Sequence, residues 1–180
     1  MIKGVNYLTI EQFNQLDSSI SNKRDKLILH IIYETGCTVN ELVQIKIKDI
    51  DFKNSIKFPS KNTKMNKERV SYVSAELLKE IKIFSKGKKA NDFLFSTRQG
   101  EGITTKRVRQ IMQSYSKKAG LSKINPQIIR YTHVVHAIEK GIPVRAIQSH
   151  IGIDSLRMSQ IYDAVAPKET EDVYKKFFKK

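Results

Sequence analysis

The sequence predicts an α+β domain, mostly α-helical, with a small three-stranded antiparallel β-sheet. Three observations carry that prediction. Apolar residues recur at helical spacing over most of the 180 residues. Between residues 51 and 74 the pattern becomes strand-like around a polar turn. Helix-start residues (Thr9, Thr104, Pro126, Pro143) and helix-stop glycines (Gly36, Gly120, Gly141, Gly152) bracket the helical stretches.

The elements follow in order. Thr9, with Glu11 and Gln12 behind it, opens a helix that places Phe13 and Leu16 on one face. Residues 26–34 carry Leu27, Ile28, Ile31 and Ile32 at helical spacing, and Gly36 ends them. A short helix begins near Val39 and includes Leu42 and Val43. Residues 51–59 are β-rich through Phe52, Ile56 and Phe58; 61–68 read as a turn; 69–74 alternate through Val70 and Tyr72 and complete a hairpin. Residues 75–84 return to helix, and 93–95 supply the third strand before a Gly100/Gly102 turn. Thr104 or Thr105 caps a basic helix with Val108, Ile111, Met112 and Tyr115 inward. Pro126 starts a helix that runs to about residue 140, and Pro143 starts another that closes near Gly152. Asp154 or Ser155 caps a further turn toward Tyr162, and a helical tail follows Pro167. Without a visible linker or repeat, residues 1–180 read as a single domain.

Composition excludes several classes. A hydrophobic fraction of 39% is enough for a core at this length. The single cysteine, Cys37, cannot close an internal disulfide, and a Cys-based zinc site is excluded. His133 and His136 are three apart on one helix, but no third ligand accompanies them, so no metal is expected. No apolar run approaches the roughly 20 residues that cross a bilayer. The N-terminus is no signal peptide, and a cytoplasmic or nucleoid-associated protein is expected. Thirty-three Lys and Arg against 18 Asp and Glu leave a net charge of +15 and a pI near 9.8. That excess points to a polyanionic partner, because cations that neutralise phosphates release condensed counterions. Clusters such as Lys106, Arg107 and Arg109 lie along the chain rather than in one arm, which suits a broad binding face.

Four stretches, in this order, resemble the catalytic domain of the tyrosine recombinase (phage integrase) family. Thr35-Gly36-Cys37-Thr38-Val39-Asn40-Glu41-Leu42 is similar to T-G-L-R-x-S-E-L. Lys64-Met65-Asn66-Lys67-Glu68-Arg69-Val70 is similar to the hairpin motif K-G-x-K-x-R. Pro126-Gln127-Ile128-Ile129-Arg130-Tyr131-Thr132 is similar to P-H-x-L-R-H-T. Residues 147–155, followed by Gln160-Ile161-Tyr162, are similar to I-Q-x-L-L-G-H-S-S and Q-I-Y. The resemblance spans about Leu8 to Tyr162, and it does not include the preceding helical DNA-clamping domain of larger members.

The resemblance implies the tyrosine recombinase catalytic-domain fold. It also implies breakage and rejoining of double-stranded DNA through a 3′-phosphotyrosyl link, with no cofactor, metal or small-molecule substrate. Tyr162 falls on the nucleophile, Arg130 on a phosphate-clamping arginine, Lys64 on the hairpin general acid and Glu41 on a supporting acid. Arginine suits a phosphate clamp because its planar fork donates parallel hydrogen bonds and stays charged. The family's other three catalytic positions are substituted: Thr38 stands for an arginine, Gln127 for a histidine or lysine, and Ile153 for a histidine or tryptophan. Losing one preorganised donor costs about 10²–10³ in rate, and a missing arginine about 10³–10⁵. Cleavage is therefore expected to be slowed by several orders of magnitude unless another cation enters. Arg145, Lys46 and Lys48 are the substitutes considered.

Lys61, Lys67, Lys106, Arg107, Arg109 and Arg145 are the expected DNA-backbone contacts. A salt bridge from Arg130 to Glu41 competes with phosphate binding. Residues 166–180, through Val173, Phe177 and Phe178, are expected to dock on the same chain or to exchange between protomers of a homo-oligomer. The alternative within the family is an inactive DNA-binding relative that caps or regulates a recombination complex. Outside it stands a helix-turn-helix module over residues 144–162, which leaves the hairpin and Arg130 unexplained.

Overall fold

A computed structural model describes residues 6–63, 67–97, 99–153 and 161. Seven α-helices and three strands are defined among them: α1 (Ile10–Ser19), α2 (Lys23–Thr35), α3 (Val39–Gln44), β1 (Ile50–Asp51), β2 (Ser55–Phe58), β3 (Arg69–Tyr72), α4 (Ala75–Phe84), α5 (Thr105–Lys118), α6 (Pro126–Glu139) and α7 (Val144–Ile151). The mostly helical α+β architecture is the one the sequence predicts.

The helix starts are chemically specified. Thr9 accepts from the Gln12 backbone N–H while the Gln12 side chain accepts from the Thr9 N–H, which closes a capping box on α1. Asn22, Thr38, Ser74, Thr104 and Asn125 cap α2 to α6 in the same way, each by accepting a backbone N–H of the first turn. The α2 helix begins three residues earlier than its apolar pattern, because Asn22 rather than the first leucine sets its start.

Helix α2 is the centre of the fold. Its Leu27, Ile28, Leu29, Ile31 and Ile32 are fully buried, in a cluster that also takes Leu16 from α1, Leu77 and Ile81 from α4, and Val108 and Met112 from α5. It packs against α3, α4, α5, α6 and β3. A second cluster joins Val134, Val135 and Ile138 of α6 to Ile147 and Ile151 of α7, and Ile161 is buried in it.

The sheet has the order β1-β2-β3 and is antiparallel throughout, with Ile50 opposite Ile56 and Phe58 opposite Arg69. Two details differ from the sequence reading. The third strand is Ile50–Asp51, not residues 93–95. Phe93 makes only an isolated bridge to Lys46, while Leu94 and Phe95 are buried as loop side chains. In β3, Val70 and Tyr72 face outward, whereas Arg69 and Ser71 are buried. Hydrophobicity alone puts the opposite face inside; an acid waiting in the interior reverses it. The segments holding Lys64 and Tyr162, the turn at residues 154–160 and the tail at 166–180 lie outside the described residues.

Candidate phosphate-binding site

The site grows from the N-terminus of α3. Thr38 accepts from the Glu41 backbone N–H at 3.2 Å, and Glu41 Oε2 accepts from the Thr38 backbone N–H at 2.7 Å and from the Thr38 hydroxyl at 2.9 Å. The capping box therefore draws the Glu41 carboxylate back into the protein, where it is only 4% exposed. A charge this deeply buried requires partners, and two arginines supply them. Arg69 Nε donates to Glu41 Oε1 at 3.0 Å. Arg130 Nη1 lies 3.8 Å from Oε2 and donates to the Gly36 carbonyl at 2.7 Å.

Arg69 is held on three sides. Its Nη1 donates to the Ser71 hydroxyl and to the His150 carbonyl at the end of α7. Its guanidinium carbon sits 4.0 Å from the centre of the Phe58 ring. Gly152, in the left-handed conformation at φ +62°, lets the chain turn closely over it: a Cβ there would lie 2.6 Å from Arg69 Cδ. The Nη2 amine is buried and has no hydrogen-bond partner, the sole such side-chain atom among the described residues.

Two guanidinium charges against one carboxylate leave this centre net positive. Burial depresses the basicity of Arg130, Glu41 pushes it back up, and Arg69 adds to the fall. Cys37, fully buried next to Glu41, has its thiol pKa raised to about 12 by burial and is inert at neutral pH.

Beside the centre lies a cavity of about 450 Å³ walled by Arg69, Thr63, Lys67, Gln148, Gly152 and Ile153. It thus adjoins both sides of the hairpin turn that carries Lys64. The structure brings Glu41, Arg130 and Thr38 together, and it places Ile153 on the cavity that Arg69 lines. Thr38 does not offer its hydroxyl outward, because Glu41 takes that proton. Gln127 is exposed on the first turn of α6. Lys61, Lys106, Arg107, Arg109, Arg145 and Lys48 are exposed, and Lys46 sits over the Phe93 ring at 5.1 Å. None of Arg145, Lys46 and Lys48 is the cation beside Arg130. That cation is Arg69, read in the sequence only as the end of the hairpin motif. Arg69 shares a face with Ser71, directly opposite Phe58 and Ile56, and no local sequence signal marks that face as the inner one.

The histidines pack rather than ligate. His133 and His150 stack with centroids 5.2 Å apart and planes 11° apart. His136 Nε2 donates to the Leu8 carbonyl (3.0 Å), and its Nδ1 lies at hydrogen-bond distance from the Tyr33 hydroxyl (2.9 Å). Among the described residues no three His, Cys, Asp or Glu side chains converge as a metal site would require, and no described helix is long and apolar enough to cross a membrane.

Comparison with known proteins identifies the family. The phage integrase family pattern matches residues 6–169, and the chain belongs to that family. It is 33% identical over 173 residues to tyrosine recombinase XerA of Pyrococcus horikoshii, covering 94% of this chain and 60% of the relative. It is 33% identical over 165 residues to tyrosine recombinase XerC of Staphylococcus aureus, covering 88% of this chain and 54% of the relative. The chain thus spans a little over half the length of these curated relatives. In fold it resembles the crystal structure of XerA recombinase, with a TM-score of 0.77 and 24% identity, covering 97% of this chain and 66% of that one. It also resembles XerH site-specific recombinase bound to its difH substrate, with a TM-score of 0.75 and 24% identity over 94% of this chain and 52% of that one. A lambda integrase dimer bound to a COC′ core site gives a TM-score of 0.71 at 18% identity, over 91% and 49%.

Proposed function

We propose that this chain acts as a metal-independent DNA strand transferase of site-specific recombination or integration, with a weakened site. The observation that carries the reading is the buried pair of guanidinium groups on Glu41, net positive and next to the hairpin. In the proposed step the Tyr162 hydroxyl loses its proton to solvent and its oxygen attacks a backbone phosphorus. The bond from Tyr162 Oη to phosphorus forms as the P–O5′ bond breaks, the phosphorus keeps its O3′, and Lys64 gives its proton to the departing 5′-oxygen. Arg130 stabilises the charge that develops on the non-bridging oxygens. Attack by a 5′-hydroxyl reverses the step, which needs no outside energy. Glu41 positions the arginine, and Tyr162 directly follows Ile161, which is buried against α6 and α7.

Duplex DNA is the partner in this reading. Helix α5 turns Val108, Ile111 and Met112 inward and leaves Lys106, Arg107 and Arg109 outside; with Lys61, Lys67 and Arg145 they form the phosphate-contacting face. Residues 1–180 act as one unit. An apolar cavity of about 590 Å³ between β3, α6 and α7, lined in part by Val70, Tyr72, Ile142 and Ile147, suits the Val173, Phe177 and Phe178 side chains of the tail, from the same chain or a neighbour. A protein ending at residue 167 that keeps the oligomeric state of the full chain, read from its mass in solution, would remove the exchange idea.

Nicked suicide duplexes of random core sequence test the chemistry. A covalent protein–DNA adduct is expected from the wild type and none from Tyr162→Phe. Tight, salt-dependent binding without any adduct would favour the second reading, an inactive relative that caps or regulates a recombination complex. The consumed Thr38 hydroxyl and the apolar Ile153 favour that second reading.

A further inference from the structure

We infer that Arg69 is a phosphate-binding residue: its free Nη2 edge supplies the second guanidinium contact to the phosphoryl group that Arg130 faces. The inference rests on the DNA-acting reading above and adds a ligand that the hairpin motif does not assign. Three independent features converge on it. Thr38 is neutral and its only hydroxyl proton is given to Glu41, so position 38 has nothing left for an anion. Arg69 has Nε and Nη1 satisfied and its guanidinium carbon 4.0 Å from the centre of the Phe58 ring, yet Nη2 has no partner while buried. Arg69 also helps wall the cavity shared with Lys67 and with Ile153, whose side chain has no proton to offer.

A purely structural strut explains the first two contacts of Arg69 but not the third edge. Buried donors are nearly always paired, and an exception marks an absent ion, a water or a functional role. The strut also leaves one positive charge uncompensated between Arg69, Arg130 and Glu41, in a region where unpaired charge is costly. One tetrahedral phosphoryl anion satisfies the amine and balances the charge together. Glu41, Ser71, the His150 carbonyl and Phe58 already fix the guanidinium, so the fork is preorganised, and because Nη2 has no exposed surface an arriving anion displaces what covers it.

Inorganic phosphate and dimethyl phosphate, titrated into the full chain, test this through the guanidinium ¹H–¹⁵N resonances, with Arg69 assigned through its own side chain. Saturable shifts of the Arg69 Nη2 signals with both probes are expected. Arg69→Lys keeps the charge but loses the fork, and it should weaken phosphate binding about ten- to a hundred-fold while still melting cooperatively. No saturable Arg69 response to either probe overturns the inference, and wild-type protein alone decides that if the variant fails to fold. A response to inorganic phosphate but not to the diester overturns the assignment to a DNA backbone. An adduct in the suicide assay with a silent Arg69 leaves the proposed function standing and removes this inference. A responsive Arg69 without an adduct does the reverse.

Discussion

Replacing Glu41 by glutamine removes one charge and changes almost no volume. In the folded protein that carboxylate accepts from Arg69 Nε, faces Arg130 Nη1 and holds both protons of Thr38. Glutamine has one acceptor oxygen instead of two, so it can keep the Thr38 cap or the Arg69 bond but not both. Its amide N–H groups would then point at a guanidinium. Breaking a buried ion pair by neutralising one partner costs about 3–5 kcal/mol. The retained amide hydrogen bond offsets a part, so a loss of about 3–4 kcal/mol is expected. For a chain of this size that corresponds to a melting temperature lower by roughly 6–16 °C. Thermal unfolding followed by circular dichroism measures it. Added sulfate should recover more of the loss in Glu41→Gln than in the wild type, because an anion can replace the missing charge. A decrease smaller than about 3 °C, with equal sulfate responses, would show that the two guanidinium groups do not depend on Glu41 and would refute the electrostatic account of the site.

Three further outcomes follow from the geometry. Gly152→Ala should destabilise by about 2–4 kcal/mol in denaturant titration, from left-handed strain plus contact with Arg69; Gly120→Ala, with φ +65° but open space around its Cβ, should lose only about 1–2 kcal/mol, and equal losses would exclude the contact. Acidification should weaken the fold: burial and the stacked His150 hold the His133 pKa down at about 4, burial lowers that of His150 too, and nearby Arg130 and His136 reinforce the effect at His133. The unfolded chain then binds more protons below about pH 6.5, so stability present above that pH is lost as pH falls toward 4. His133 is half-buried, so on the order of 1–2 kcal/mol is expected, and His133→Phe should flatten the pH dependence of the melting temperature over that window. Changing Lys106, Arg107 and Arg109 together to glutamine should reduce the slope of log affinity for duplex DNA against log salt by about 2–3; an unchanged slope would take α5 off the DNA face.

Local chemistry made much of the fold legible. Helix α4 begins and ends where its apolar spacing puts it, because Ser74 caps its first turn from within the local sequence. Helices α6 and α7 start at or beside their prolines for the same reason. The third strand was not legible. Ile50–Asp51 is too short to show a period, while Phe93-Leu94-Phe95 has strand-like composition but fills the core from a loop. At the site, the motif spacing picked out Arg130 and Glu41, and the structure joins them. It did not pick out Arg69 as their neighbour. A charged residue next to valine in a strand reads as outward-facing, and only the buried carboxylate, 28 residues away in sequence, turns it in. That information exists in three dimensions and in no local window.

Glu41 Oε2 has two duties, closing the first turn of α3 and facing Arg130, while Oε1 ties in the last strand of the hairpin. The cap and the cationic centre therefore open and close as one cooperative unit. A partly unravelled molecule has neither the capped turn nor the paired guanidinium groups. Amide exchange at Thr38 and at the guanidinium of Arg69 would report the same opening event.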